Sequence, residues 1–210
     1  AAAERAALSE LLPLGIPVVS EESGLVGAAT IDPDQPWISL DPLDGSRNFV
    51  AGYPLYATSI GLVHHGQPIA GLVADLAGGH RWSAHLGGGA ICDGRPIRTR
   101  RSPLGALPSP VPGGAGVREL PNITRVRISG STTSDLCRVA DGSLAVFFAL
   151  DRPVVHVHDL AAAMIIIEEA GGTVIDRAGV RPVLTPDPAC CLEIVAAYER
   201  SAARAFAGFA

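Results

Sequence analysis

The chain has 210 residues, enough for one large domain or for two small halves sharing a core. It is 48% hydrophobic but only 5% aromatic, so the core has to be built mostly from Ala, Val, Leu and Ile. A formal net charge of −5, with no basic run denser than residues 95–101, argues against a nucleic-acid partner bound by phosphate neutralisation. Cys92, Cys137, Cys190 and Cys191 show no C-x-x-C spacing and two are adjacent. They read as reduced thiols in a cytoplasmic protein, not as a zinc site or a disulfide framework. The sequence reads as lacking a secretory leader and a membrane span. Its apolar run Met164-Ile165-Ile166-Ile167 is too short to cross a bilayer and ends in Glu168-Glu169.

Residues 1–12 are Ala-rich and read as a helix, stopped at Pro13-Leu14-Gly15. Residues 16–20 follow as a short strand that delivers Glu21-Glu22. Paired acids after a strand are ordinarily a polar loop, although a strand end is also where an open α/β sheet presents its chemistry. Residues 25–35 read as a loop. Trp37-Ile38-Ser39-Leu40 is expected to be a buried strand that stops at Asp41-Pro42, where proline fixes φ and removes a ladder donor. Leu43-Asp44-Gly45-Ser46 comes next. Gly45 permits a tight turn, and Ser46 is placed to cap a helix beginning at Arg47 or Asn48. Two carboxylates thus leave a strand beside free N–H groups at a helix start. The first suit a hard divalent cation and the second a phosphate. Asp-Pro and Asp-Gly pairs are also ordinary turn formers, and taken alone the stretch also fits a plain loop.

Residues 55–63 and 68–74 are expected strands joined by the turn His64-His65-Gly66-Gln67. Residues 80–86 and 89–92 add strands before the turn Asp93-Gly94-Arg95-Pro96, giving an antiparallel meander flanked by helices. The Pro- and Gly-rich residues 102–116 read as a linker between halves 1–101 and 117–210 of one catalytic unit. Residues 125–129 form a strand. Gly130-Ser131-Thr132-Thr133-Ser134 is a turn that either holds hydroxyls and phosphate or only caps a helix over 135–140. Residues 144–150 form a strand and 154–157 a further apolar piece. Asp159 reads as the N-cap of a helix over 160–170, stopped by Gly171-Gly172. Strands over 173–175 and 193–197 and a helix over 198–207 close the chain. The order of elements is that of a layered α/β (α+β) protein. Strand alternation puts His156 and His158 on one face, beside Asp159. That leaves open a His-based metal hydrolase, against the plainer reading of two packing residues.

Several of these stretches match one family in order. The chain resembles the inositol monophosphatase family of metal-dependent, lithium-sensitive phosphatases in Glu21-Glu22, in Asp41-Pro42-Leu43-Asp44-Gly45-Ser46, and in Asp159-Leu160-Ala161-Ala162 running on to Glu169-Ala170-Gly171-Gly172. Gly87-Gly88-Gly89-Ala90 with Asp93-Gly94 fits the same pattern, and the likeness covers residues 18–197. The resemblance implies a layered αβαβα sandwich of the sugar-phosphatase type. It implies two or three Mg²⁺ per site, a homodimer, a small phosphorylated substrate, and neither nucleic acid nor membrane as partner. It places Glu21, Asp41 and the Leu43 carbonyl at a first cation and Asp41, Asp44 and Asp159 at a second, with Asp41 bridging. Gly45 and Ser46 would hold phosphate oxygens, and Gly130, Ser131 and Thr132 would line the substrate side. Glu21, Asp41, Asp44, Ser46 and Asp159 are then the expected catalytic set. The chemistry would be hydrolysis of inositol monophosphate, fructose 1,6-bisphosphate or both by metal-activated water, for which two cations about 3.5–4 Å apart are suited.

Three positions depart from the family pattern. The family's water-orienting Asp, from a Thr-Asp segment, has no counterpart before Glu21. His158 stands where many members carry Trp. Arg152, in Asp151-Arg152, aligns with an acid that often contacts inositol, and resembles archaeal members that also hydrolyse fructose 1,6-bisphosphate. A guanidinium there suits a second phosphate, or else a surface ion pair. The alternatives are a nucleotide 3′-phosphatase of the same family and a member that binds metal and phosphate but is catalytically impaired.

Overall fold

A computed structural model of the chain describes residues 2–106, 123–150 and 154–207. Helix α1 (Ala2–Leu11) leads through a short 3-10 turn, Leu12–Leu14, into strands β1 (Val18–Ser20) and β2 (Gly24–Val26). Strand β3 (Trp37–Asp44) and helix α2 (Ser46–Ala51) follow, then β4 (Ala57–His64), β5 (Gln67–Asp75), β6 (Arg81–His85), β7 (Gly89–Cys92) and β8 (Arg95–Pro96). These strands form one sheet in the order β2-β1-β3-β4-β5-β6-β7-β8, antiparallel except where β1 runs parallel to β3. The hairpins turn where expected. His65 and Gly66 have φ of 50° and 71°, and Asp93 and Gly94 have 50° and 74°, the left-handed pairs that match the twist of two-residue hairpins.

The second sheet, β10-β9-β11-β15-β13, takes β9 (Leu104–Ala106), β10 (Arg125–Arg127), β11 (Val146–Ala149), β13 (Thr173–Asp176) and β15 (Ile194–Ala197). A two-stranded ladder pairs β12 (Val155–His156) with β14 (Cys191–Leu192). Helices α3 (Thr132–Ala140) and α4 (Val157–Glu169) lie between the two sheets, and α5 (Arg200–Ala207) closes the far side. Leu11 of α1 packs with Val18, Ile38 and Leu40 on the outer face of the first sheet. Ala203 of α5 packs with Val146, Ile175 and Val195 on the outer face of the second. The layers therefore run α-β-α-β-α, as the family resemblance implies.

Helix α4 is the centre of this stack. Every residue from Val157 to Ile167 is buried, so it has no polar face, as a helix covered on all sides requires. It approaches the first sheet through alanines set against glycines. A Cβ on Gly61 would lie 2.8 Å from the Ala161 Cβ, and one on Gly71 would lie 2.6 Å from the Ala162 carbonyl. At the other end of α4, the Glu169 carboxylate accepts the N–H groups of Gly87 and Gly89, both at 2.8 Å, which ties the glycine-rich turn down.

The structure corrects several expectations. Strand β3 does not stop at Asp41-Pro42 but continues to Asp44, because Pro42 sits in a bulge where no ladder donor is needed. Helix α3 begins at Thr132, not at 135. Helix α4 begins at Val157, with His156 as N-cap and Asp159 already inside its first turn. Strands β2, β9 and β14 are two or three residues long, too short for alternation to reveal. Of the stretch 102–116 read as a linker, residues 104–106 form β9, and 107–116 lie outside the described residues.

Candidate metal centre

The site forms where three chain segments meet: the end of β1, the end of β3 and the start of α4. Side chains three apart on a regular strand point to opposite faces. Asp41 pairs with Ser59 and Asp44 with Ala57, so β3 advances from 41 to 44 while β4 retreats only from 59 to 57. The extra residue is a bulge, and it turns both carboxylates to one side. The Leu43 N–H donates to Asp41 Oδ1 at 2.8 Å, and the Thr58 hydroxyl donates to the Pro42 carbonyl at 3.0 Å, which fixes the bulge.

Glu21 follows β1 directly, and its N–H donates to the Leu40 carbonyl at 3.0 Å. One residue earlier, the Ser20 hydroxyl donates to Glu4 Oε1 at 2.7 Å, anchoring this strand end to α1. Asp159 is held by its own helix start, where its Oδ2 accepts the His156 N–H at 2.9 Å. The Thr133 hydroxyl donates to the Asp159 carbonyl at 3.3 Å, joining α3 to α4.

Oxygens of Asp41, Asp44 and Asp159 lie within 4.8 Å of one another. Glu21, Asp41 and His158 form a second group within the same limit, so Asp41 belongs to both. Asp41 and Asp159 are buried and Asp44 nearly so, whereas the Glu21 side chain is 45% exposed. Burial pushes the Asp41 carboxyl well above the usual carboxylate range, and the charges of Asp44, Glu21 and Asp159 push it further. Burial and Asp159 raise Asp44 too, against the opposing hydrogen bonds from Ser131 and Thr133. Such a cluster of buried oxygens is unfavourable when ionised and bare. It fits a hard divalent cation, which takes oxygen ligands and stabilises the ionised forms.

The remaining predicted residues fall around this centre. Gly45 is the N-cap of α2 at φ 80°, and a Cβ there would lie 2.7 Å from the Leu55 carbonyl, so the position demands glycine twice over. Ser46 is the first residue of α2 and is exposed. It does not cap the helix, as its sequence position suggested, because the turn places Gly45 there. Gly130, Ser131 and Thr132 do come to the site, but the Ser131 hydroxyl and the Thr132 N–H are committed to Asp44. The Ser131 hydroxyl donates to Asp44 Oδ2 at 2.6 Å and lies 2.7 Å from the Ser134 hydroxyl. The N–H groups of Thr132 and Thr133 donate to Oδ1 and Oδ2 of Asp44 at 3.3 and 2.8 Å. The start of α3 thus grips a carboxylate, as a helix N-terminus favours. Arg152 and Asp151 lie outside the described residues.

Two further residues join the site. The Asn48 amide donates to the carbonyls of Leu55 and Ser129, at 2.8 and 2.9 Å, and so joins α2 to the segment before α3. His158 reaches Glu21 and Asp41, and its ring stacks on that of His156 with centroids 4.9 Å apart. The donors of His156, His158 and Asp159, weighed as a metal group from the sequence, also lie within 4.8 Å of one another.

Comparison with known proteins covers nearly the whole chain. The sequence profile of the inositol monophosphatase family matches residues 2–206. A fructose-1,6-bisphosphatase/inositol-1-monophosphatase of Thermococcus kodakarensis is 37% identical over 180 residues, covering 84% of this chain and 68% of the relative. The protein of the same description from Methanocaldococcus jannaschii is 34% identical, with 84% and 69% covered. Among solved structures, an inositol monophosphatase–fructose 1,6-bisphosphatase superimposes with a TM-score of 0.86 at 28% identity, covering 99% of this chain and 81% of that one.

Proposed function

Because the chain belongs to the inositol monophosphatase family, we propose that it is a Mg²⁺-dependent phosphomonoesterase acting on a small phosphorylated polyol or sugar. The observation that carries this reading is Asp41, whose carboxylate is common to two groups of donors built on different segments. A shared carboxylate is what a pair of adjacent cations needs. The substrates of choice are inositol monophosphate and fructose 1,6-bisphosphate, the compounds in the descriptions of the Thermococcus and Methanocaldococcus relatives.

When bound, divalent cations would supply charge neutralisation on the phosphate and acidify the attacking water. The chain does the positioning. Glu21 and Asp41 would hold one cation together with the Leu43 carbonyl, and Asp41, Asp44 and Asp159 the other. Ser131 and the α3 N–H groups aim Asp44 and favour its ionised form against the effect of burial. The Gly45 and Ser46 N–H groups would receive the phosphate oxygens, with Gly130 at the rim, and Arg152 would meet a second phosphate. Inhibition by Li⁺, a homodimeric assembly and a cytoplasmic setting belong to the same proposal. The four free thiols suit that setting, and among the described residues no helix is long and apolar enough to cross a membrane.

The test is turnover by the purified chain as Mg²⁺ is titrated, with inositol 1-phosphate, fructose 1,6-bisphosphate and adenosine 3′,5′-bisphosphate as substrates. Mg²⁺-dependent release of phosphate from either of the first two is expected. Preference for the third would make it a nucleotide 3′-phosphatase. The impaired-member alternative is separated from the lead by the same assay. Binding of Mg²⁺ and phosphate without turnover of any substrate would favour it and overturn the lead.

A further inference from the structure

His158 occupies an unusual place for a histidine. It is the second residue of α4, its side chain is only 6% exposed, and it faces the acidic centre. Its Nδ1 is buried with no hydrogen-bond partner. Its Nε2 lies 4.0 Å from Glu21 Oε1, beyond the 2.7–3.2 Å of a hydrogen bond. The buried imidazole thus makes no hydrogen bond through either nitrogen among the described residues, and it is the Nε2, the nitrogen toward Glu21, that is free to bind a cation. The spacing fits one. Two ligands bound to one cation at about 2.1 Å each can stand no more than about 4.2 Å apart. The separation of 4.0 Å satisfies that limit, and one nitrogen of His158, one oxygen of Glu21 and one oxygen of Asp41 lie within 4.8 Å of one another.

We propose that His158 is a nitrogen ligand of the cation held between Glu21 and Asp41. This rests on the two-position reading given above and divides the positions chemically. The Asp41, Asp44 and Asp159 position is all oxygen and suits Mg²⁺. The Glu21, Asp41 and His158 position is mixed nitrogen and oxygen. Imidazole favours first-row transition ions, so this position prefers Mn²⁺ or Zn²⁺ to Mg²⁺. The pair of sites then takes up two different metals when both kinds are supplied.

The test uses the full chain freed of metal and titrated with Mn²⁺ alone, with Mg²⁺ alone, and with both. Pulsed electron paramagnetic resonance of the Mn²⁺-loaded wild type is expected to show ¹⁴N coupling from a directly bound imidazole, a readout independent of activity and of any variant. The coupling should vanish in His158→Leu and persist in His156→Leu. Calorimetry should show Mn²⁺ affinity falling about tenfold or more in His158→Leu, with Mg²⁺ affinity changing by less than about threefold. Mn²⁺ bound without ¹⁴N coupling, at a site lost in Asp41→Asn, would overturn the ligand assignment and leave the two-position reading standing, with His158 reduced to an ion-pair partner of Glu21. Failure of either metal to bind, or binding indifferent to Asp41→Asn, would overturn both.

Discussion

Replacing Asp41 by Asn removes one oxygen charge that both donor groups share. Catalytic efficiency should fall by about a hundredfold or more, because two cation positions weaken together. The same change should raise the thermal midpoint of the metal-free protein, since it removes a carboxyl that burial and the charges of Asp44, Glu21 and Asp159 force to take up a proton on folding. Near-normal kcat/KM would refute the placing of the metals. Arg152→Ala addresses substrate choice. A guanidinium on a second phosphate contributes roughly 1.5–3 kcal/mol, so KM for fructose 1,6-bisphosphate should rise about tenfold or more while inositol 1-phosphate is barely affected. Equal loss on both substrates would make Arg152 a support of the fold. At this scale the sequence was legible in its carboxylates, because Asp41-Pro42-Leu43-Asp44 and Asp159 announce themselves by motif. Their geometry was not. The bulge that turns Asp41 and Asp44 the same way depends on pairing with β4, and the Ser131–Asp44 bond spans 87 positions.

The elements that carry these residues depend on close backbone approach. Gly71→Val would set a branched side chain against the Ala162 carbonyl and Ile165. Overpacking of this kind costs roughly 1–3 kcal/mol. It should also move the start of α4, and with it Asp159, away from β3. Denaturant unfolding and Mg²⁺ calorimetry should therefore both register the change, and an unaltered Mg²⁺ affinity would show that α4 is not positioned by this contact. Helix α3 offers a pH test. Burial raises Asp135 to about 6, against a hydrogen bond donated by Ser129. A carboxyl that holds its proton more tightly when folded gives stability that is full below the unfolded pKa and is lost as pH rises through the folded one. Between about pH 4 and 6, stability of the wild type should fall, and Asp135→Asn should flatten that slope. An unchanged slope would show that Asp135 does not titrate there. The long strands and α4 were legible from alternation and from an unbroken apolar run. The starts of α3 and α4 were missed because tertiary partners, Asp44 for α3 and the His156–Asp159 bond for α4, fix them.

For the molecule as a whole, the carboxylate centre couples stability to metal and pH together. Asp41 and Asp44 are both raised in the bare protein, so chelator-treated enzyme should lose thermal stability as pH rises above the ordinary carboxylate pKa of about 4. A cation needs those groups ionised, so added Mg²⁺ should stabilise more at pH 8 than at pH 5. A Mg²⁺ effect independent of pH, followed by scanning calorimetry, would contradict the shared carboxylate cluster. The layered order was legible only through the family likeness. Nothing in local pattern says that β9 leaves the 102–116 stretch to join the second sheet.

Helix α4 also bears on how the chain is made. Its residues from Val157 to Ile167 are apolar or buried on every side, and they leave the ribosome before β13, β15 and α5. Until those last segments arrive, α4 can cover the first sheet but meets a second sheet that holds only β9, β10 and β11 and lacks β15 and β13. A nascent chain stalled after Gly172 would leave Met164-Ile165-Ile166-Ile167 incompletely covered, the kind of transient exposure that leads to aggregation during synthesis. Ribosome-bound intermediates of that length should therefore recruit chaperones, and they should release them only once the closing strands of the second sheet emerge.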